Sequence, residues 1–424
     1  MPRRITLSIA IFSLAMLVAS CGAGDGTGAE STFTRTDSAG IELLVTRPAD
    51  TSEVSGWAIG PEPSVVFGAA ADPPVEFYQV NEVARLASGR VAVLDNGDKV
   101  LRVFEPDGSL AFTAGGEGDG PGEFQSPGGL VPLGGDTVLV YDKRHQRFTR
   151  FGPEGSYVGD RRLESPALEH ADLRQYAPED VVGDTVLMIP TSWIIPGREE
   201  SGRFTLQVPM LKYRLDGSFV SEAAEPTTLE LEQRESSIGA VTFTRPTRGF
   251  AKRGQVYVVD PARYEVRVYP HDDGLARIYR FERPRRPVTD DDVEAYVEDL
   301  IESAQAGSGV VRAGGRTPRV AKDAENQIRE HFTNAARADS FPSITAARVD
   351  AHGDVWVSEY QLPWQEEESN WAVFAADGRW LGTARVPDGF TPFYIGEDSA
   401  LGIQVDELEV QQVVEYPVRR LDGN

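Results

Sequence analysis

From residue 88 onward, short runs of β-branched and aromatic residues bounded by glycine and aspartate recur in one fixed order. Each unit reads as a glycine turn, a strand ending in an acid, a second strand, a turn of the Xaa-Asp-Gly type and a third strand. One copy is Ser88-Gly89, 91–95 with Asp95 last, 100–104, Pro106-Asp107-Gly108 and 109–113. Gly134-Gly135, 137–142 with Asp142 last, 146–151 and Pro153-Glu154-Gly155 repeat it. The order returns after Gly183, Gly254 and Gly353, with strand pairs 186–189 and 211–214, 256–260 and 265–269, and 355–359 and 371–374. Asp-Gly supplies the positive φ that tight hairpin turns require, so each unit predicts an antiparallel meander. A degenerate copy spans 390–396, 400–405 and 410–416 and lacks one strand. Residues 40–45 near the N-terminus are expected to supply that strand and close a ring.

Meanders in series, each with an apolar face, build a β-propeller. A two-sheet sandwich would not demand the same turn grammar in five successive units. The pattern therefore predicts an all-β fold, a six-bladed β-propeller over residues 33–424. The segment from Gly115 to Phe124, GGEGDGPGEF, with Pro127-Gly128-Gly129 behind it, resembles the inter-blade segment of NHL-repeat propellers. In general blade pattern the rest of the chain is similar to six-bladed propeller lipoproteins of bacteria. The resemblance implies a fold and little chemistry, although such propellers include metal-dependent lactonases and lyases that act on small molecules at the ring axis. The glycine-rich segment does not read as a phosphate loop, for it lacks a Gly-Lys-Ser/Thr ending and an opening helix.

The repeat breaks between Gly274 and Gly378, where an insertion over 288–340 carries a helical pattern. Thr289 reads as an N-cap with Asp290, Asp291 and Asp292 in the first turn, where acids complement the helix dipole. Val293, Tyr296, Val297, Leu300 and Ile301 then follow helical spacing. After a glycine-rich loop at 307–315, a second helix over 321–338 is expected to put Ala324, Ile328, Phe332 and Ala335 on one face. Strand alternation brings this insertion to the same face as two enlarged loops, 190–203 with Trp193 and Arg198, and 360–370 with Tyr360, Trp364 and three acids, 366–368. Binding surfaces of repeat proteins commonly lie on the face that carries insertions. Trp193, Arg198, Tyr360 and Trp364 are therefore the candidate binding rim, although loops are also cheap to lengthen without function.

Residues 1–20 change the picture from a soluble body to an exported one. Arg3 and Arg4 form a positive n-region, an apolar run extends from about Ile5 to Val18, and Ala19-Ser20 precede Cys21, the only cysteine. The run is shorter than the roughly 20 residues of a membrane span. A plain secretory signal would leave one free thiol in an oxidising compartment. Val18-Ala19-Ser20-Cys21 resembles the lipobox of bacterial lipoproteins, which implies an acylated Cys21 as the mature N-terminus and a membrane anchor. Three chains at about 0.8 kcal/mol per buried methylene make such an anchor effectively permanent. Residues 21–32 read as a flexible tether. By the same resemblance, Gly22 rather than aspartate behind the cysteine implies the outer membrane in a Gram-negative cell.

Loss of residues 1–20 takes Lys+Arg from 42 to 40 against 66 Asp+Glu, a formal charge of −26. A body this acidic is repelled by nucleic acid and by anionic headgroups. Asp95, Asp142, Asp260 and Glu359 each end the second strand of a unit, and a ring of carboxylates can hold a divalent cation. Repeated acids more often accept hydrogen bonds from their own turns, which is the preferred reading here. His145, His170, His271, His331 and His352 show no metal spacing and read as polar turn residues. No Gly-Xaa-Ser-Xaa-Gly elbow occurs. Trp356 and Trp380 fall on strands and read as core. The expectation is a lipid-anchored extracytoplasmic propeller that binds a protein or small-molecule ligand. The alternative is a metal-dependent hydrolase or lyase, lactonase-like, acting at the axis. No catalytic constellation is visible, and a divalent cation is the one cofactor left open.

Overall fold

The computed structural model describes residues 32–47, 56–168, 171–196, 200–223, 226–235, 237–270, 274–305, 324–365, 369–406 and 408–420. The signal segment, Cys21, the tether up to residue 31, Arg198, His170, His271, the loop 307–315 and the acids 366–368 lie outside the described residues.

In chain order, β1 (Thr32–Ser38), β2 (Ile41–Arg47), β3 (Gly56–Ile59) and β4 (Val65–Val66) precede the repeats. The first meander is β5 (Val80–Arg85), β6 (Val91–Asp95), β7 (Val100–Phe104) and β8 (Leu110–Gly115). The second is β9 (Pro127–Pro132), β10 (Val138–Asp142), β11 (Arg147–Phe151) and β12 (Tyr157–Arg162). Then come β13 (Tyr176–Val182), β14 (Thr185–Pro190), β15 (Gly202–Val208), β16 (Leu211–Arg214), β17 (Phe219–Glu222), β18 (Thr227–Gln233) and β19 (Ile238–Ala240). They are followed by β20 (Arg248–Lys252), β21 (Gln255–Asp260), β22 (Glu265–Pro270) and β23 (Arg277–Phe281), and by helices α1 (Asp290–Gln305) and α2 (Ala324–Thr333). The chain ends with β24 (Ile344–Val349), β25 (Val355–Glu359), β26 (Ser369–Phe374), β27 (Trp380–Val386), β28 (Phe390–Ile395), β29 (Ser399–Val405) and β30 (Gln411–Arg420).

The fold is mostly β, as the pattern predicts. β5 to β8, β9 to β12, β13-β14-β16-β17 and β20 to β23 each form an up-and-down antiparallel run, and β24 to β27 and β28 to β30 give two more within one larger sheet. β6 and β10 are buried along their whole length, whereas the outer strands β8 and β12 are largely exposed. Strands covered on both faces read as continuous apolar runs, which is why 91–95 and 138–142 stand out in the sequence. The cover is the neighbouring meander. Leu94 and Leu101 pack with Val138 and Val140, Tyr141 and Phe148 with Tyr176 and Tyr213, and Leu187 and Met210 with Val256 and Val258. Val266 and Phe281 meet Val357 and Phe374, Trp356 and Trp371 meet Phe390 and Tyr416, and Leu401 and Val413 return to Val83 and Val93. The innermost strands touch in the same order: β5 with β9, β9 with β13, β13 with β20, β24 with β28, and β28 with β5. Burial of each such large side chain stabilises by about 1.5–3 kcal/mol, so these layers carry the fold without a disulfide.

Turns between third and fourth strands follow the expected chemistry. Gly108, Gly217 and Gly378 have φ of 87°, 91° and 90°, and Asp107 and Asp216 accept hydrogen bonds from the amides and hydroxyls of Ser109 and Ser218. At Gly217 a Cβ would also overlap the carbonyl oxygen of Arg162, so glycine is required twice over. These turns, with those joining first to second strands, lie at one end of the sheets. That end is called the turn face. Connections between meanders and between second and third strands emerge at the other end, the insertion face.

Three expectations are corrected. Residues 40–45 do not pair with the last meander: β2 pairs in parallel with β23, Glu42 opposite Arg277. Leu44 is buried against Phe281 and Phe374 there, and Thr46 donates to Gly378 O at 2.6 Å, so β2 covers the outer edge of β23. The last meander is completed instead by β4, paired with β30, and β3 bridges β27 and β30. The second helix stops at Thr333, because Ala336 and Ala338 turn away to exchange backbone hydrogen bonds with Thr242. The enlarged loop at 190–203 runs into β15, which pairs with β18 in a separate three-stranded sheet with β19. Arg203 donates to Arg337 O at 2.9 Å and Ala336 N to Glu232 Oε2 at 3.0 Å, so this sheet and the helices form one superstructure on the insertion face.

Candidate functional site

The four strand-ending acids separate into two kinds. Asp95 accepts from the amides of Gln79 (3.1 Å) and Gly97 (2.9 Å) and from Arg102 Nη1 (2.9 Å). Asp142 accepts from the amides of Gln125 (2.7 Å), Arg144 (2.8 Å) and His145 (3.0 Å). Asp260 accepts from the amides of Ala262 and Arg263, both at 3.1 Å, and from Arg267. In these three the carboxylate ties its own turn to the protein, as the sequence suggests. Glu359 makes no such bonds among the described residues. Its Oε1 lies 2.8 Å from Arg283 Nη1 but is not aligned for a hydrogen bond, and Arg283 Nη2 has no partner either.

These two groups face a cleft of about 200 Å³ at the foot of the helices, lined also by Tyr264, Arg286, Phe341, Ser343, Tyr360 and Gln365. Local structure explains its shape. Thr289 caps α1: Asp292 N donates to its Oγ1 at 3.2 Å while Thr289 N donates to Asp292 Oδ2 at 2.9 Å. The two ends of the insertion run side by side, with Val288 N donating to Asp339 O and Phe341 N to Arg286 O. That stem delivers Arg283 and Arg286 on one side and Phe341 and Ser343 on the other. β25 delivers Glu359, and Tyr360 N donates to Ser343 O at 3.1 Å. Phe341 and Tyr264 form a buried floor, both 5% exposed.

Positive charge dominates the cleft although the protein carries −24 overall. Arg245 lies 5.6 Å from the Tyr360 ring centroid and Arg286 5.2 Å from that of Phe341. Arg286 also donates to Asp292 at 2.6 Å, which takes up that acid. Burial pushes the Glu359 carboxyl above its ordinary range, opposed in part by Arg283. Burial also raises the Tyr264 hydroxyl, reinforced by Glu359. The site can therefore offer guanidinium donors, hydroxyls and a carboxyl that holds its proton above the usual pH.

Of the expected rim residues, Tyr360 lines this cleft and stacks on Phe341 at 5.9 Å. Trp364 packs beside it, 6.0 Å from Phe243 and from Tyr296 of α1 and 6.1 Å from Phe341. Trp193 is not brought to them; it packs on the cluster of Tyr176, Leu206 and Tyr213. Trp356 is core and donates to Asp350 at 3.0 Å, while Trp380 is partly buried beside Phe374. His145 and His352 sit in turns, but His331 lies on α2 against Phe332. Arg283 and Arg286 were missed by sequence reading. Their signal was the basic run Arg283-Pro284-Arg285-Arg286 directly ahead of the helix cap.

A second concentration of charge lies on the innermost strands. Glu179 of β13 raises Glu82 of β5, and Asp180 raises Glu179, while Lys252 of β20 and Arg348 of β24 oppose both. Burial drives both carboxyls up, Glu82 well above the ordinary range and Glu179 to about 7. Both keep some solvent-accessible surface. Lys252 Nζ lies 5.5 Å from the Tyr394 ring, and Arg348 Nε donates to Pro392 O at 3.1 Å. A divalent cation does not fit this donor set. Calcium takes six to eight oxygens, and here two carboxyls already face two fixed cations. Among the described residues no group of three His, Cys, Asp or Glu side chains is placed to hold a metal ion. These strands precede the glycine turns that mark each unit, which is why the repeat pattern passed over them.

No helix among the described residues is long and apolar enough to cross a membrane. No protein-family model matches the chain, and no curated relative matches it. Many solved structures resemble it at low similarity. A protein of Bacteroides fragilis named as exported is 12% identical, with a TM-score of 0.47 over 89% of this chain and 99% of that one. A member of the DUF4221 family from Bacteroides vulgatus is 9% identical, with a TM-score of 0.45 over 87% and 100%. A gluconolactonase of Xanthomonas campestris is 11% identical, with a TM-score of 0.37 over 87% and 99%. At these scores the likeness assigns neither a family nor an activity to this chain.

Proposed function

We propose that this protein is a lipid-anchored binding module of the cell envelope, held to the outer membrane through acylated Cys21, whose body is a six-bladed β-propeller that captures a small anionic ligand at the foot of its helical insertion. The ring reading is supported by the apolar layers between successive meanders, including the one that joins Val83 and Val93 to Leu401 and Val413. The anchor is supported by the resemblance of residues 18–21 to a lipobox. One observation carries the binding reading: in the cleft, Arg283 Nη2 and Glu359 Oε1 are buried without hydrogen-bond partners. Buried polar groups are ordinarily paired, so an unpaired donor with Arg286 and Arg245 nearby suits a carboxylate or phosphate oxygen. Calorimetric titration with citrate and with inorganic phosphate tests it. Wild-type protein is expected to bind one of them and Arg283→Gln to lose at least ten-fold in affinity. Absence of binding to both, or equal binding by the variant, overturns the reading.

A second reading, hydrolysis or elimination at the axis, is favoured by the Glu179 carboxyl at about 7, a value suited to general acid–base work near neutral pH. It needs no metal. Turnover of a lactone panel that vanishes in Glu179→Gln would support it, and a panel left untouched by wild-type protein would remove it.

A further inference from the structure

The N-terminal hairpin fixes where the proposed anchor leaves the body. Thr32 pairs with Arg47, and Arg47 forms an ion pair at 2.8 Å with Glu282, the residue after β23. β23 ends at the insertion face, so β1 begins there. Ten residues lie between Cys21 and Thr32, and the eleven steps from one to the other span ~36–40 Å when fully extended. The same face also carries the exposed apolar loop residues. Tyr78 is 65% exposed, Ile194 47%, Ile195 41%, Leu408 83% and Val410 48%. Phe77 bridges to Gln411, which gathers Tyr78, Leu408 and Val410 into one patch. The other exposed large apolar residues, Phe33, Leu110, Tyr157, Val158 and Val220, lie on the outermost strands, and none of those described lies in a turn-face loop.

We infer that the insertion face of the anchored protein lies against the bilayer, with Leu408, Val410, Tyr78 and the Ile194-Ile195 pair touching the headgroup region. The inference rests on the anchor reading above. A short tether raises the effective concentration of the surface it is fixed to, so weak apolar contacts suffice. With a formal charge of −24 in the whole chain, the body is repelled by anionic headgroups, and the surface it fits is zwitterionic. Ligand then reaches the Arg283 cleft along the membrane.

Acylated Cys21 has no free thiol, so an added cysteine labels one position of the full chain. Bimane is placed at Leu408→Cys, Ile195→Cys or, in the β11–β12 turn on the turn face, Glu154→Cys, whose side chain is 80% exposed. In phosphatidylcholine vesicles containing brominated lipid, quenching is expected to be at least two-fold stronger at 408 and 195 than at 154. Equal or reversed quenching on attached protein overturns the inference and leaves the anchor standing. Cys21→Ser protein is expected in the supernatant of pelleted vesicles; if it stays bound, the anchor reading and the inference fall together. Replacing phosphatidylcholine with phosphatidylglycerol is expected to lower the quenching. A rise would assign the contact to basic side chains and overturn the apolar one.

Discussion

Asp95 and Glu359 occupy the same place in two meanders, the last residue of the second strand, and behave in opposite ways. Asp95 is fully buried and saturated by its own turn and Arg102. Glu359 is one methylene longer, is followed by no tight turn, and meets Arg283, which is 76 residues away in the chain, without a well-aligned bond. Repetition satisfies its own polar groups, because each copy brings the donors its acid needs. Where the loop after β25 is enlarged, those donors are gone and the acid is released to a cleft. The difference places the candidate chemistry at a break in the repeat.

Removing the saturated acid should therefore cost the most. Asp95→Ala strips the amides of Gln79 and Gly97 of their acceptor and, among the described ion pairs, leaves Arg102 with Asp98, and breaking a buried pair of this kind costs about 3–5 kcal/mol. Urea unfolding should show the loss as a lower midpoint at unchanged slope. Glu359→Ala, by contrast, is expected to cost about 1 kcal/mol, since a partly exposed pair contributes little. Equal losses at the two positions would break the comparison.

The same contrast explains what could be read from sequence. Val91 to Asp95, the Asp107-Gly108 turn and the Thr289 cap are local patterns whose partners lie within a few residues, and all three form as expected. β2 was misplaced because parallel pairing with β23, 235 residues away from Glu42 to Arg277, has no turn to announce it. The β15–β18 pairing was invisible for a related reason: β16 and β17 intervene between its strands. Tyr360 and Trp364 were legible as aromatic residues on a long loop. Arg283 was not, because its partner is set by the ring and not by the chain.

An intermediate case lies at the axis. Unlike Asp95, Glu179 keeps some solvent-accessible surface, and burial nevertheless raises it to about 7. Its folded pKa exceeds the unfolded one, so its favourable contribution is full below the unfolded value of about 4.3 and is lost as pH rises through about 7. Glu179→Gln should then gain on wild type between pH 5 and pH 8 by on the order of 2 kcal/mol, read from urea midpoints. The coupled carboxyl of Glu82 shares this titration, so the double variant should gain less than the sum of the singles. A pH-independent difference would mean that the axis holds both carboxyls as ordinary ion pairs.

The smallest effect is expected at Glu359→Gln, which keeps shape and acceptor but removes the charge. Burial raises this carboxyl while Arg283 pulls it back, and the net direction is upward. With each side chain about a quarter exposed, solvent screening keeps the stability change within about 1 kcal/mol. The sign is nevertheless fixed: wild type is favoured below the unfolded value of about 4.3 and loses that advantage as pH rises through the higher folded value. The variant should match or trail wild type at pH 4 and move ahead of it by pH 8. An advantage that instead shrinks with pH would mean that Arg283 holds Glu359 as a strong ion pair, and the two acids at equivalent ends of their strands would then differ in partner but not in kind.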